Sequence, residues 1–496
     1  MKKGKILIFG LLFSICFLAC EKDDTPDNII TPRADFSFSP NAPLEGDQIV
    51  FNGEPREGSS NITSWLWNFG DENSSSSTES DPIFIYDKAG TYNISLQVTD
   101  ASGNVHRTSK TITVTKAEFP AALVWQYTTG TPVSNINDGS SAPVIGDDGT
   151  IYYTESRAGE ASKIVAVTDN GESAELLWTS ESVGAEFPNS PSIGPDGNIL
   201  INAWHDDFAI NKINSADGSF IWSGAIGTDV SNNTPAVDSE GNIYHGSRSQ
   251  GVNGGIYSWT PDGEKRWEIT GMGAFYSAPA ISADETTVYF LNTTTGKIWA
   301  MNATEGTEKW EAPVGLESGI HGSSLSIGAD GTIYFTTNTH VVAITDEGAT
   351  GSVKWQTEVN DASNSGIVIG NTGNLYTGSR GGLVSLNPDD GTINWTYTDA
   401  EISESVPAVD ANENIYIGTM DGMLLIINED GNLEKEIELT DALVNSPTIT
   451  SNGTIYVEAY DGDTITLFKI SVDESGMANS AWPMKGQNVK STGKAN

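Results

Sequence analysis

The 496-residue chain has almost no cysteine: Cys16 and Cys20 both stand near its N-terminus, so a fold built from the rest has neither a disulfide nor a cysteine-bound metal. Its stability must come from packing. Histidine is also sparse, with His106, His205, His245, His321 and His340, and no pair has a zinc spacing such as HExxH. Positive charge is scarce too, 25 Lys and Arg against 66 Asp and Glu, for a net charge of −41. That balance repels nucleic acid and anionic headgroups and favours solubility. Long apolar runs are missing except at the very start.

What is there begins with "MKKGKILIFGLLFSICFLAC", a basic start, a short apolar run and Ala19 directly before Cys20. The run is short for a membrane span and reads as a secretion signal over residues 1–19. "FLAC" resembles the lipobox of bacterial lipoproteins, with Phe17 where leucine is usual, which implies that Cys20 is lipidated and heads an acidic linker, residues 20–32. "EKDD" resembles the export signal of Bacteroidetes lipoproteins, implying a lipid anchor in the outer membrane and display on the cell exterior. The plainer reading makes the same acids a solvated periplasmic linker.

From residue 33 to 116, runs such as "DQIVFNG", "WLWNFGD" and "GTYNISLQVTD" alternate polar and apolar residues between Gly and Asn turns. Period-two alternation predicts a half-buried antiparallel sandwich. Trp67, Phe69, Gly70, Asp71, Pro82, Tyr86, Gly90, Tyr92 and Asp100 fall in an order that resembles the PKD domain, an immunoglobulin-like sandwich. The resemblance implies a spacer or a contact module. Trp67 and Tyr86 are expected in the core, and Gly70 at a sharp turn.

Residues 119–496 repeat a unit of roughly 40 to 48 residues, a period that suggests a propeller. "APVIGDDGTIYY", "TPAVDSEGNIYH" and "SPTITSNGTIYV" are three of eight versions, aligned on Tyr152, Leu200, Tyr244, Tyr289, Tyr334, Tyr376, Tyr416 and Tyr456. Each version gives strand, Asp-Gly or Asn-Gly turn, strand, loop, strand, acidic Gly turn and a last strand often ending in Trp. Such turns suit hairpins because both central residues take positive φ, and four short strands make one blade. Trp178, Trp222, Trp267, Trp310, Trp355 and Trp395 are expected to pack between blades, with none in "GNLEKEIEL". Trp125, ahead of the first full unit, predicts a strand lent to the last blade that closes the ring and hides its edges. The expected fold is all-β, a PKD sandwich followed by an eight-bladed propeller.

These units resemble PQQ-like repeats, shared by quinoprotein alcohol dehydrogenases and the outer-membrane assembly lipoprotein family, and "AWPMKGQNVKSTGK" resembles a segment that accompanies them. The dehydrogenases pair vicinal cysteines with their cofactor, and the mature chain has none, so no cofactor is expected. No calcium site can be picked out. Carboxylates are too numerous to single out an acid/base pair for glycoside cleavage. His245 holds a strand position taken elsewhere by Ile201, Phe290, Phe335 or Val457 and reads as a packed residue, whereas His205 and His321 fall in predicted loops.

Strand alternation puts the Gly turns with Asp148, Asp196, Asp217, Glu240, Asp262, Asp330, Asp390 and Asp430 on one face, which is expected to be strongly negative. The opposite face gathers Arg157, Arg248 and Arg380, three of seven arginines, with Trp204, His205, Tyr460, Phe275, Tyr276 and His321. Rings beside guanidinium forks suit sugars, whose C–H faces stack while hydroxyls or acidic groups hydrogen-bond. The same arginines also suit bridges to acids on adjacent blades. The sequence thus favours a non-catalytic surface lipoprotein that binds polysaccharide, anionic ones above all, with the lipid anchor as its only membrane contact. Two alternatives are a scaffold for outer-membrane proteins, like the assembly lipoprotein, and a polysaccharide-active or quinone-dependent enzyme.

Overall fold

The computed structural model describes residues 31–57, 59–129, 141–155, 161–185, 190–202, 209–225, 233–247, 254–314, 324–360, 365–402, 405–460, 464–472 and 476–495. Every regular element among them is a β-strand. No helix among them is long and apolar enough to cross a membrane. The chain divides into two compact units, Met1–Glu118 and Phe119–Asn496.

In the first unit a three-stranded sheet (Ala34–Ser39, Gln48–Pro55, Ile83–Ile85) and a four-stranded one (Ser76–Ser77, Ile62–Asn68, Gly90–Asp100, Val105–Val114) enclose one core. Trp67 is fully buried, meets Phe36 edge-on at 5.1 Å and donates its indole N–H to the Glu79 carbonyl. The buried Tyr86 donates its hydroxyl to the Phe69 carbonyl at 2.7 Å. Gly70 has φ 73°, and a Cβ there would fall 2.5 Å from the Asn93 carbonyl oxygen, so only glycine fits this turn.

Among the described residues the second unit holds eight antiparallel sheets, each carrying a four-strand path. Blade 1 runs Val144–Ile145, Ile151–Glu155, Ala161–Asp169 and Ala174–Thr179. Blade 8 takes its first three strands from the C-terminal part (Thr448–Ile449, Thr454–Tyr460, Ile465–Ser471) and its fourth, Ala122–Thr128, from the start of the unit, with Lys469 opposite Trp125. The two ends of the unit therefore share one sheet, and the ring closes without a covalent link.

A single joint recurs from blade to blade. Each fourth-strand indole N–H donates into the third-to-fourth turn of the next blade: Trp125 to the Asp169 carboxylate, Trp178 to Ser215 O, Trp222 to Pro261 O and Trp267 to Ala303 O. Trp310 to the Asp346 carboxylate, Trp355 to Pro388 O and Trp395 to Glu429 O continue the series. The indole lies on that turn's glycine. A Cβ at Gly218, Gly263 or Gly306 would stand 2.5 to 2.7 Å from the ring of Trp178, Trp222 or Trp267, and all three have positive φ, so turn and close approach both demand glycine. Lys435 fills the tryptophan position in blade 7, and its ammonium donates to Phe119 O, just ahead of the lent strand.

Every fourth strand also carries a β-bulge directly before this joint, at Val124, Leu177, Ile221, Arg266, Lys309, Lys354, Asn394 and Glu434. The extra residue sharpens the twist and frees the side chain that follows to turn toward its neighbour.

The C-terminal segment runs across the innermost strands on the side of the Gly turns. Carbonyls of Val489, Lys490, Thr492, Gly493, Trp482 and Pro483 accept from Ile145, Ile193, Val237, Ile281, Ile369 and Val409, which lie in blades 1, 2, 3, 4, 6 and 7. Its own Trp482 and Met484 side chains are buried, and Lys490 pairs with Asp147 at 2.7 Å. The axis is thereby covered on that side.

Candidate binding surfaces of the propeller

The loop face that the sequence favoured divides into two groups. Arg157, Trp204, His205, Arg248 and His321 lie outside the described residues, as does Cys20. Of the rest, Arg380 is exposed at a two-residue hairpin between Leu375–Ser379 and Gly382–Leu386, and Tyr276 is half-buried. Phe275 and Tyr460 do not present their rings to solvent. Phe275 is fully buried, edge-on to Phe290 at 6.2 Å and beneath Gly246, while Tyr460 is 6% exposed in the core where blades 8 and 1 meet. Both are packing residues: Phe275 lies under a strand residue, and Tyr460 packs among apolar side chains of both blades. Only Arg380 and Tyr276 of the proposed sugar-stacking set are accessible among the described residues.

The opposite face is acidic as expected. Asp148, Asp196, Asp217, Glu240, Asp262, Asp330, Asp390 and Asp430 are all exposed in their turns. Much of their work is local: Asp148, Asp196, Asp217, Asp330 and Asp390 each accept the backbone N–H two residues on, at 3.0 to 3.2 Å, which builds the turn itself. Lys212, almost wholly buried along its length, reaches Asp196 at 2.7 Å. No group of three or more His, Cys, Asp or Glu among the described residues stands close enough to share a metal ion.

Two of the buried titratable groups are Glu458, between blades, and His245, within blade 3. Glu458 is fully buried where blade 8 meets blade 1, accepting from Asn445 Nδ2 at 3.3 Å and Ser141 Oγ at 3.5 Å. Burial pushes its carboxyl up to about 8, against the pull of those two donors and of Lys485. The alignment held the signal, since equivalent positions carry Thr154, Asn202, Gly246, Leu291, Thr336, Gly378 and Gly418, none of them ionisable.

His245 is packed, as its place among apolar residues suggested. Its ring stacks on Tyr257 at 5.4 Å and accepts from Trp259 Nε1 at 2.9 Å through Nε2, which leaves the proton on Nδ1 facing Gly246 O. Burial holds its pKa down at about 4. The unfolded chain takes up this proton below about pH 6.5 and the folded one only near 4, so stability falls as pH drops through that window. We expect a loss of about 2 kcal/mol between pH 7.5 and 5 from this residue. Comparing urea melts of the native protein and His245→Phe at the two pH values measures it; an equal pH slope in both would refute the assignment.

The outer edges of the blades differ in character. At the bulge and the residue before it, blades 3, 4, 5 and 7 carry Lys265–Arg266, Glu308–Lys309, Val353–Lys354 and Leu433–Glu434. Arg266 there bonds Tyr244 OH and Ser258 Oγ, and Lys309 reaches Thr287 Oγ1. Blades 8, 1 and 2 carry Leu123–Val124, Leu176–Leu177 and Phe220–Ile221 instead, with Leu123, Leu176, Leu177 and Ile221 43, 45, 50 and 47% exposed. Neither the bulges nor this contrast was read from the sequence.

A family model described as outer membrane protein assembly factor BamB matches residues 206–369 and 379–475, just over half of the chain. The chain belongs to that family. The PKD-domain model matches residues 30–115 of this BamB-family protein. It is 27% identical over 137 residues to outer membrane protein assembly factor BamB of Burkholderia pseudomallei (strain K96243), covering 27% of this chain and 33% of that one. It is 32% identical over 127 residues to the pre-pro-metalloprotease PrtV of Vibrio cholerae (strain M66-2), covering 24% of this chain and 13% of PrtV. The chain thus spans about a third or less of these relatives. Among solved structures, BamB from Moraxella catarrhalis superposes with a TM-score of 0.52 at 16% identity, covering 70% of this chain and 97% of that one. At that identity the likeness shows the propeller fold alone.

Proposed function

We propose that this BamB-family chain is an outer-membrane-associated scaffold that holds protein partners on the strand edges and loops of its propeller. The observation that carries the reading is the uncovered apolar edge of blades 8, 1 and 2 on a ring whose other described edges are mostly guarded by charge. Monomeric proteins blunt exposed strand edges with lysine, bulges and charge, so an edge with only the bulge is an invitation to a partner. Membership of a family whose relatives are named as assembly factors supports the same reading. The PKD unit serves as spacer, and Cys20 carries the lipid that holds the chain to the membrane. The test is chemical crosslinking in intact cells followed by purification of the full chain. Enrichment of integral outer-membrane proteins over a PKD-only control is the expected result, and no enrichment would sink the scaffold.

A polysaccharide site at the loop face is the second reading, kept for the exposed Arg380 in so acidic a protein. Affinity electrophoresis in acidic and neutral glycans decides it: acidic glycans should retard the native protein and not the Arg157→Ala/Arg248→Ala/Arg380→Ala variant. Equal mobility of the two would dismiss these arginines.

A further inference from the structure

The exposed apolar residues lie on neighbouring blades, since the fourth strands of blades 8 and 1 touch each other and blade 1 docks onto blade 2 through Trp178 and Ser215. Three consecutive edge strands, "ALVWQYT", "AELLWT" and "FIWSGA", contain a single charge between them, Glu175. "KRWEIT", "EKWEAP", "GSVKWQTE" and "LEKEIE" each carry two or more. Blade 6, "INWTY", is uncharged but isolated between guarded neighbours. Around the apolar row the exposed charges are acidic: Glu172 and Glu175 on blade 1, Glu181 just after it and Asp217 in the turn of blade 2.

We propose that the outer edge of blades 8, 1 and 2 is a docking surface for an extended segment of another protein, one that alternates apolar residues and is flanked by Lys or Arg. The proposal rests on the scaffold reading and names its surface and the chemistry of its partner. The apolar residues at the bulges, Leu177 and Ile221, meet apolar side chains of the incoming segment, and an outermost strand, which ends its sheet, can take main-chain hydrogen bonds from it. The acids around the row meet the flanking cations. A second copy of this chain is disfavoured as occupant, because two bodies of net charge −41 repel one another.

The test uses the full chain and a fluorescent peptide of alternating valine and threonine with a lysine pair at each end, read by anisotropy at low salt. Its partner probe has glutamate pairs instead. The expected result is that the lysine-flanked peptide binds at least tenfold more tightly than the glutamate-flanked one. Leu177→Lys/Ile221→Lys should lose that binding, and Ile393→Lys on blade 6 should keep it. All of these residues are exposed, and matching thermal melts verify that the variants fold. Equal binding by the double variant, equal binding of the two peptides, or no binding at all would overturn the proposal. So would a dimer of the native chain in sedimentation that the double variant abolishes, since the edge would then serve a second copy. Crosslinked outer-membrane proteins that co-purify with the double variant as well as with the native chain would overturn this surface and leave the scaffold standing.

Discussion

Replacing Trp310 with alanine is expected to cost about 3–5 kcal/mol of stability, the range for emptying a buried tryptophan site. The indole is 4% exposed, packs within blade 4 and joins that blade to blade 5 in two ways. It packs against Tyr289 with ring centroids 6.0 Å apart, lies on Gly351 of the next blade, and donates its N–H to the Asp346 carboxylate at 2.9 Å. That carboxylate also accepts the Tyr289 hydroxyl at 2.6 Å, so the substitution strips a donor from a carboxylate that ties two blades together. Trp310→Phe keeps much of the area and loses only the N–H, and should cost about 1–3 kcal/mol. Chemical denaturation of the three proteins reads the order. A Phe variant as damaged as the Ala variant would show that the hydrogen bond, not the packing, holds the joint.

That joint explains why so much of the fold was legible. A blade docks onto its neighbour through Trp, Tyr and the turn glycine, and these recur in most blades about 40 to 48 residues apart, so a period in the sequence reports a period in space. Trp125 could be placed in blade 8 because it bears the same mark without a full unit around it. The bulges carry no such mark. They are shifts of register between two strands, and Leu177 or Arg266 looks like any outward residue until its partner strand is known. Loop position misled in another way, since counting residues past the tyrosine ladder says nothing of depth. Phe275 and Tyr460 were expected at an open mouth, yet Phe275 lies beneath Gly246 of blade 3 and Tyr460 packs in the core where blades 8 and 1 meet. Glu458 was not singled out in the sequence, although it alone among the eight equivalent positions is ionisable, and it took the closed ring to show that its carboxyl sits in the seam.

The C-terminal segment shows the same limit most plainly, and removing it is the change with the widest expected effect. "AWPMKGQNVKSTGK" has no strand alternation, so nothing in its composition says that it crosses the axis. Yet its carbonyls satisfy innermost-strand N–H groups in six blades, from Ile145 to Val409, and those groups are buried. Truncation before Met477 would leave the N–H groups facing a cavity that Trp482 and Met484 had filled. Each of the six lost hydrogen bonds costs about 0.5–1.5 kcal/mol net, and emptying the tryptophan site about 3–5 kcal/mol more. The sum is comparable to the whole stability of an ordinary domain. The truncated chain should therefore fail to show a cooperative melt, whereas Lys490→Ala, which breaks only the half-exposed pair with Asp147, should shift stability by less than about 1 kcal/mol. Calorimetry of the two separates a segment that seals the axis from one that merely lies across it, because in the second case the truncated protein would melt almost as the native one does.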